Sequence, residues 1–327
     1  MFDLIGFSDQ IDKLINNYKN NNLRSSIIFY GPKGIGKRQF INKFISEIIK
    51  MKFNKSSISH HLNLYLNNSH PNIKLVEKEL DKKTKKINNN ITIEQIRNLK
   101  KFNSSSSSLQ DLDKIIIIDS ADDLNLNSAN SFLKTLEEPN NNSFIFLISH
   151  QISLLLPTIR SRCQKIKLQS HSYGDFKKIL TSSIKELNED EFKFFYDLTL
   201  GSPGTAITLY NDNIFEYVNQ TIKSLYNNGL TTDIIELSKN LSKMEDDKFK
   251  NFLSVLKSLL IIIYKTKINN NSHEIFRSHN FKNLQNVCSY LSYQNIIDRF
   301  NFLAMNEKDL FTYNLDKKIF VQKFMIT

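Results

Sequence analysis

Seven residues constrain this chain more than any others: Gly31-Pro32-Lys33-Gly34-Ile35-Gly36-Lys37, spaced as GxxxxGK. They follow a short β-rich apolar run, residues 26–30, and precede Phe40, Ile41, Phe44, Ile45, Ile48 and Ile49 at helical spacing. Between a strand and a helix, glycines so placed let backbone N–H groups wrap a phosphate at the helix N-terminus, and the lysine reaches its terminal oxygens. The spacing therefore predicts a phosphate-binding loop built from Gly31, Gly34, Gly36 and Lys37.

The surrounding pattern agrees with an α/β fold. Ile11, Leu14, Ile15 and Tyr18 recur at helical spacing, with Ser8 as the expected N-cap. Residues 115–118 and 144–148 read as buried strands, the first ending in Asp119, and residues 73–76 and 166–168 as further strands. Thr92 and Gln95 form a capping box for a helix running to about Phe102. Ala129, Phe132, Leu133 and Leu136 predict another helix, which stops before Pro139. Residues 50–90 are otherwise polar without a clear period, and the serine tract 104–108 reads as a flexible loop tip. Strands alternating with helices predict a doubly wound parallel sheet that binds ligands at the carboxyl ends of its strands.

After about Leu168 helical periodicity takes over. Gly201-Ser202-Pro203-Gly204 reads as a turn between helices, and the pattern stays helical from about Asn213, including Phe252, Val255, Leu256, Leu259 and Leu260. The expected division is an α/β phosphate-loop domain at 1–168, a small helical domain at 169–213 and a helical C-terminal domain at 214–327.

Charge and cysteine content narrow the setting. A formal charge of +11, from 44 Lys and Arg against 33 Asp and Glu, favours contact with a polyanion. The chain is also rich in Asn, Ile and Lys throughout, so charge alone leaves nucleic-acid contact open. The run Lys82-Lys83-Thr84-Lys85-Lys86 reads as a solvated loop rather than a DNA site. Two cysteines, Cys163 and Cys288, without a CxxC pair exclude a disulfide framework or thiolate zinc site and fit a reducing cytoplasm. No secretory signal is visible at the N-terminus, and the apolar run 259–264 is too short for a bilayer, so a soluble protein without membrane contact is expected.

The loop lacks parts. Arg38 follows Lys37, where a Ser or Thr hydroxyl would ligate magnesium. Asp119 stands at the metal-associated position, but Ser120 follows it where many hydrolysing proteins carry a glutamate that activates water. Both losses predict no ATPase activity in the isolated chain. They leave at most weak ATP binding through backbone amides and Lys37, with no cofactor required.

The run Leu155-Leu156-Pro157-Thr158-Ile159-Arg160-Ser161-Arg162-Cys163 carries a resemblance. With it stand Ser69-His70-Pro71-Asn72, the stretch from Ile117 to Asn125, Leu133-Lys134-Thr135-Leu136-Glu137-Glu138-Pro139, and the Gly-Ser-Pro-Gly turn at 201–204. Together they resemble the clamp-loader branch of the AAA+ ATPases, and within it the delta-prime subunits of the bacterial DNA polymerase III clamp loader. The likeness covers roughly residues 2–210; the C-terminal third matches only in length and helical character. It implies an AAA+ (RecA-like) phosphate-loop domain, a helical lid, and an all-α collar at 214–327 that carries subunit contacts. It also implies a hetero-pentamer with gamma/tau and delta subunits, acting on the sliding clamp and primer-template DNA. Arg162 would act as an arginine finger on ATP held by a neighbour, its planar cation neutralising charge on the transferring phosphoryl group.

Departures from that pattern sharpen it. Where such subunits often carry a cysteine-ligated zinc module, residues 50–70 hold His60, His61 and His70 but no cysteine, so no metal is expected and His60 with His61 reads as a solvated pair. Thr205 stands where active members carry a sensor arginine, and Ser149 and His150 fall at the polar sensor position. Cys163 reads as a small buried side chain. The alternative is an ATP-hydrolysing motor of the gamma/tau type, which would carry a Lys-Ser or Lys-Thr pair, an acidic residue after the aspartate and a zinc-binding cysteine set. A small-molecule kinase on the same loop is a more distant reading.

Overall fold

Runs of isoleucine and phenylalanine set the sheet, because successive strand residues face opposite sides and a strand covered on both sides must be apolar throughout. In a computed structural model, which describes residues 4–80, 88, 90–104, 109, 112–139, 143–185, 187–225, 231–269 and 287–327, five strands form one sheet. They are β1 (Ser26–Tyr30), β2 (Ile73–Val76), β3 (Lys114–Asp119), β4 (Ser143–Ser149) and β5 (Gln164–Lys167). All pairings are parallel, in the order β2-β3-β4-β1-β5.

Side chains sort by parity. Ile27, Phe29, Ile115, Ile117, Phe146 and Ile148 meet α1 (Ser8–Lys19) and α2 (Lys37–Lys52) on one face. Ile28, Ile116, Ile118, Ile145 and Leu147 meet α4 (Ile93–Ser104), α5 (Leu126–Glu137) and α6 (Pro157–Arg162) on the other. Phe29, Phe40, Phe44, Phe132 and Phe146 are fully buried, each worth about 1.5–3 kcal/mol relative to an exposed ring. Strand register then aligns the carboxyl ends: Tyr30 lies opposite Ser149, and Asp119 opposite Ile148.

Three local expectations need correction. Ser8 does not cap α1: Phe7 occupies the N-cap with no side-chain hydrogen bond and buries its ring against Phe40 at 5.8 Å. The segment read as polar holds a helix, α3 (Lys55–Leu66), whose anchors His61 and Tyr65 are both amphipathic rings and so leave a weak apolar period. The last strand spans Gln164–Lys167 rather than 166–168; it lies at the end of the sheet, where Lys165 and Lys167 stay exposed, as does Lys74 on β2 at the other end. The Thr92–Gln95 capping box is present, with Thr92 N donating to Gln95 Oε1 at 2.9 Å and Gln95 N to Thr92 Oγ1 at 3.3 Å. The lysine run 82–86 and residues 105–108 of the serine tract lie outside the described residues.

The chain divides into two compact units, Met1–Ser170 and His171–Thr327. The second is helical: α7 (Tyr173–Ser183), α8 (Glu189–Leu198), α9 (Pro203–Asn211), α10 (Ile214–Ser224), α11 (Thr232–Ser242), α12 (Asp246–Asn269), then Tyr293–Thr312 and Lys317–Ile326. The segment expected as the collar and all but residues 169–170 of the segment expected as the lid lie in this unit, around two apolar clusters. Phe192 and Phe195 of α8 join the smaller cluster with Phe176 and Leu180, whereas Phe194 and Leu198 join the larger one with Phe252, Leu256 and Phe324. Among the described residues no helix is long and apolar enough to cross a membrane.

Candidate phosphate-loop site

The loop leaves β1 at the carboxyl edge and enters α2 through Gly36, whose φ of 91° puts this N-cap in the left-handed region that glycine adopts without strain. Gly31 serves a different need. A Cβ there would stand 2.1 Å from the Leu168 carbonyl oxygen, so the bare backbone is what lets the chain after β5 pass beside the loop. Lys37 is buried, and its Nζ donates to the Gly31 and Pro32 carbonyls at 2.7 Å each. Burial lowers its pKa to about 8, against the opposing pull of Asp122 and Asp119. Gly31, Gly34, Gly36 and Lys37 thus share one loop beside Asp119.

Arg38 does more than lack a lone pair. Its Nη1 lies 3.4 Å from Asp119 Oδ2, and its Nε donates to Asn42 Oδ1 at 3.1 Å. Asn42 Oδ1 also accepts from Tyr65 Oη at 2.6 Å. Burial raises the Tyr65 pKa to about 12, opposed by Arg38. Burial also raises the Asp119 carboxyl, while Arg38 pulls it down and Glu77 adds to the rise. Magnesium, which the fold implies, does not fit these residues: the position of its hydroxyl ligand belongs to a cation, and that cation sits on the carboxylate that would be its anchor. Ser120 donates to Asp123 Oδ2 at 3.3 Å and to Asp122 Oδ2 at 3.5 Å, and a hydroxyl does not replace the glutamate carboxylate that would activate water.

Asp122 holds the neighbouring strand end, a role the sequence reading did not give it. It accepts from Ser149 Oγ at 2.7 Å through Oδ1 and from the His150 amide at 2.5 Å through Oδ2. His150 Nδ1 has no hydrogen-bond partner among the described residues, and burial, with Lys37 and Lys33 adding, lowers its pKa to about 4. The imidazole is therefore neutral at pH 7. Thr205 lies on α9, in the second unit.

Arg162 ends α6 with its side chain 35% exposed. Its Nη1 donates to Thr158 O at 3.0 Å and its Nη2 pairs with Glu137 Oε1 at 2.5 Å. Cys163 follows as the C-cap, buried in the cluster beneath α5 and α6, with its thiol pKa pushed up to about 12 by burial.

The histidines are not a solvated pair. His60 is exposed, but His61 is buried, stacks on Phe53 at 3.7 Å, and its Nδ1 lies 3.2 Å from His70 Nε2. His70 Nδ1 accepts from the Asn72 amide at 3.2 Å, so His70 carries its proton on Nε2 and donates it to His61. Asn72 in turn donates through Nδ2 to the Leu109 and Leu112 carbonyls at 2.9 and 2.6 Å. Among the described residues no three His, Cys, Asp or Glu stand together as a metal site.

A parallel sheet in this order, with a glycine-rich loop after β1 and an acidic end to β3, defines a phosphate-loop domain of the AAA+ kind, here followed by helices. Residues 7–172, just over half of the chain, match the family described as DNA polymerase III, delta subunit. The chain belongs to that family. It is 28% identical over 201 residues to DNA polymerase III subunit delta' of Pseudomonas aeruginosa, covering 61% of this chain and 59% of that one. It is 46% identical over 65 residues to subunit delta' of Bacillus subtilis, covering 20% of each, and 29% identical over 162 residues to subunit delta' of Buchnera aphidicola, covering 48% and 47%. The matched stretches thus span less than two thirds of these relatives. A solved DNA polymerase III gamma subunit-related protein of Thermotoga maritima is 18% identical, with 92% and 99% of the chains covered and a TM-score of 0.43.

Proposed function

We propose that this chain is a delta-prime-type subunit of a clamp loader that does not hydrolyse ATP itself but completes the ATP site of a neighbouring subunit with Arg162. The observation that carries the reading is the Arg38–Asp119 pair at 3.4 Å, which puts a side-chain cation where a hydrolysing member needs metal and its ligands. The loop is retained as a rigid part of the domain that holds α6. Arg162 is suited to act outside its own chain. Its pairing with Glu137 is between side chains 35% and 45% exposed, and such pairs are worth about 0–1 kcal/mol. A neighbour's phosphate, with its greater charge, can displace the carboxylate.

In this reading the partners are gamma/tau-type and delta-type subunits, the sliding clamp and primed DNA, with the work done in the cytoplasm. The test is reconstitution with those subunits. The isolated chain shows no ATPase activity, and Arg162→Ala lowers the DNA-stimulated rate of the complex while leaving assembly intact. An arginine finger is worth about 10³–10⁵ in rate at the site it completes. An unchanged rate in the mutant complex overturns the assignment.

A further inference from the structure

We infer that Arg38 is a resident substitute for the divalent cation of this site, and that it makes the loop refuse magnesium whether or not a nucleotide is offered. The inference concerns the same loop as the proposed function but does not depend on Arg162 or on any partner.

A magnesium ion bonds a carboxylate oxygen at about 2 Å, and Arg38 Nη1 lies 3.4 Å from Asp119 Oδ2. An ion on that oxygen would therefore stand within about 5.5 Å of the guanidinium nitrogen, with Lys37 close by as a second positive charge. Retreat is restricted. Arg38 Nε is held by Asn42 Oδ1, and that oxygen is fixed from its other side by the buried Tyr65 hydroxyl. Nor can the charge be shed, since a guanidinium stays protonated across the accessible pH range. The four groups form one connected unit that ties α2, α3 and the end of β3 together. Asp119 has changed partner: it anchors a side chain instead of a metal.

Two consequences separate this from simple loss of a ligand. Removing the hydroxyl alone would weaken metal binding, whereas an ion-paired arginine blocks it and supplies the missing positive charge. Replacing Arg38 by a small neutral residue therefore reopens the position even without a hydroxyl, because Asp119 is freed and the loop glycines remain, and a hydroxyl there adds to the gain.

Manganese(II) serves as the probe, its free concentration read by electron paramagnetic resonance. The full-length wild type, Arg38→Ser, Arg38→Thr, Arg38→Ala and Arg38→Lys are compared with and without ATP, after circular dichroism has shown which variants fold. The wild type and Arg38→Lys take up no manganese beyond the ATP·Mn control under either condition. Arg38→Ser and Arg38→Thr take up manganese beyond that control when ATP is present, with an affinity roughly tenfold or more above the limit set by the wild type. Stoichiometric manganese on the wild type or the lysine variant overturns the inference, as do folded serine and threonine variants that gain none. Arg38→Ala, which removes the cation without supplying a hydroxyl, separates exclusion from loss of a ligand: uptake above wild type with ATP present upholds the inference, and no gain in the folded variant overturns it. Uptake by the wild type or Arg38→Lys overturns it whether or not the small-residue variants fold. These outcomes are independent of ATPase rates in any reconstituted complex.

Discussion

Replacing His70 by asparagine should flatten the acid sensitivity of the first unit. His70 is buried, and burial, with His61 and His60 adding, lowers its pKa from 6.5 to about 4. A group whose folded pKa is depressed in this way stays neutral in the folded chain while the unfolded chain takes up a proton. Stability is therefore full above the unfolded value of 6.5 and falls as the pH drops towards 4. With 1.36 kcal/mol per pKa unit, the loss between pH 7 and pH 5 comes to about 2 kcal/mol. His61, also lowered by burial first and His60 second, acts in the same direction. Asparagine keeps an acceptor near the Asn72 amide but cannot titrate, so the wild-type advantage at pH 7 should shrink by about 2 kcal/mol at pH 5. Urea denaturation followed by circular dichroism at both pH values measures this difference, and a nuclear magnetic resonance titration of the imidazoles reads His70 directly. Parallel pH profiles for the two proteins, together with a His70 midpoint near 6.5, would refute the reasoning.

Other outcomes follow from the same site. Gly31→Ala forces a Cβ to within 2.1 Å of the Leu168 carbonyl oxygen, so either the loop or the chain after β5 must move; the melting temperature should fall by several degrees, about 1–3 kcal/mol, and an unchanged value would mean that the close approach is not needed. Cys163, with its thiol raised to about 12 by burial, should react with a thiol reagent at pH 7.5 only after urea is added. Rapid labelling of the native chain would contradict its burial.

The central strands were legible because burial on both faces leaves no polar positions to confuse the pattern, as in Ile115, Ile116, Ile117 and Ile118. The loop was legible because its glycines answer to local backbone needs. What escaped the sequence was mostly contact between distant positions. Arg38 and Asp119 are 81 residues apart, so their pairing leaves no periodic trace: the letters show a lost hydroxyl and an aspartate without its glutamate, and the structure shows one contact joining Arg38 to that aspartate. The burial of His61 leaves no trace for a related reason: adjacent His60 and His61 look like a solvated pair until Phe53 and His70 are seen to cover the second ring. Asp122 sat among three acidic residues, and nothing in the order of letters marked it as the one that accepts from Ser149. The last strand was displaced because an end strand alternates, and its lysines broke the apolar run that identified the others.

Those lysines have a further consequence. The strands at the two ends of the sheet, β2 and β5, are four residues long, and a bare strand end invites pairing with the same strand of another copy. Exposed Lys165 and Lys167 on one, and Lys74 on the other, would be brought against like charge in such a pairing. Copies crowded together during synthesis would thus repel one another along their most adhesive borders. In a sheet this rich in isoleucine, Lys74, Lys165 and Lys167 set like charge against growth beyond its own chain.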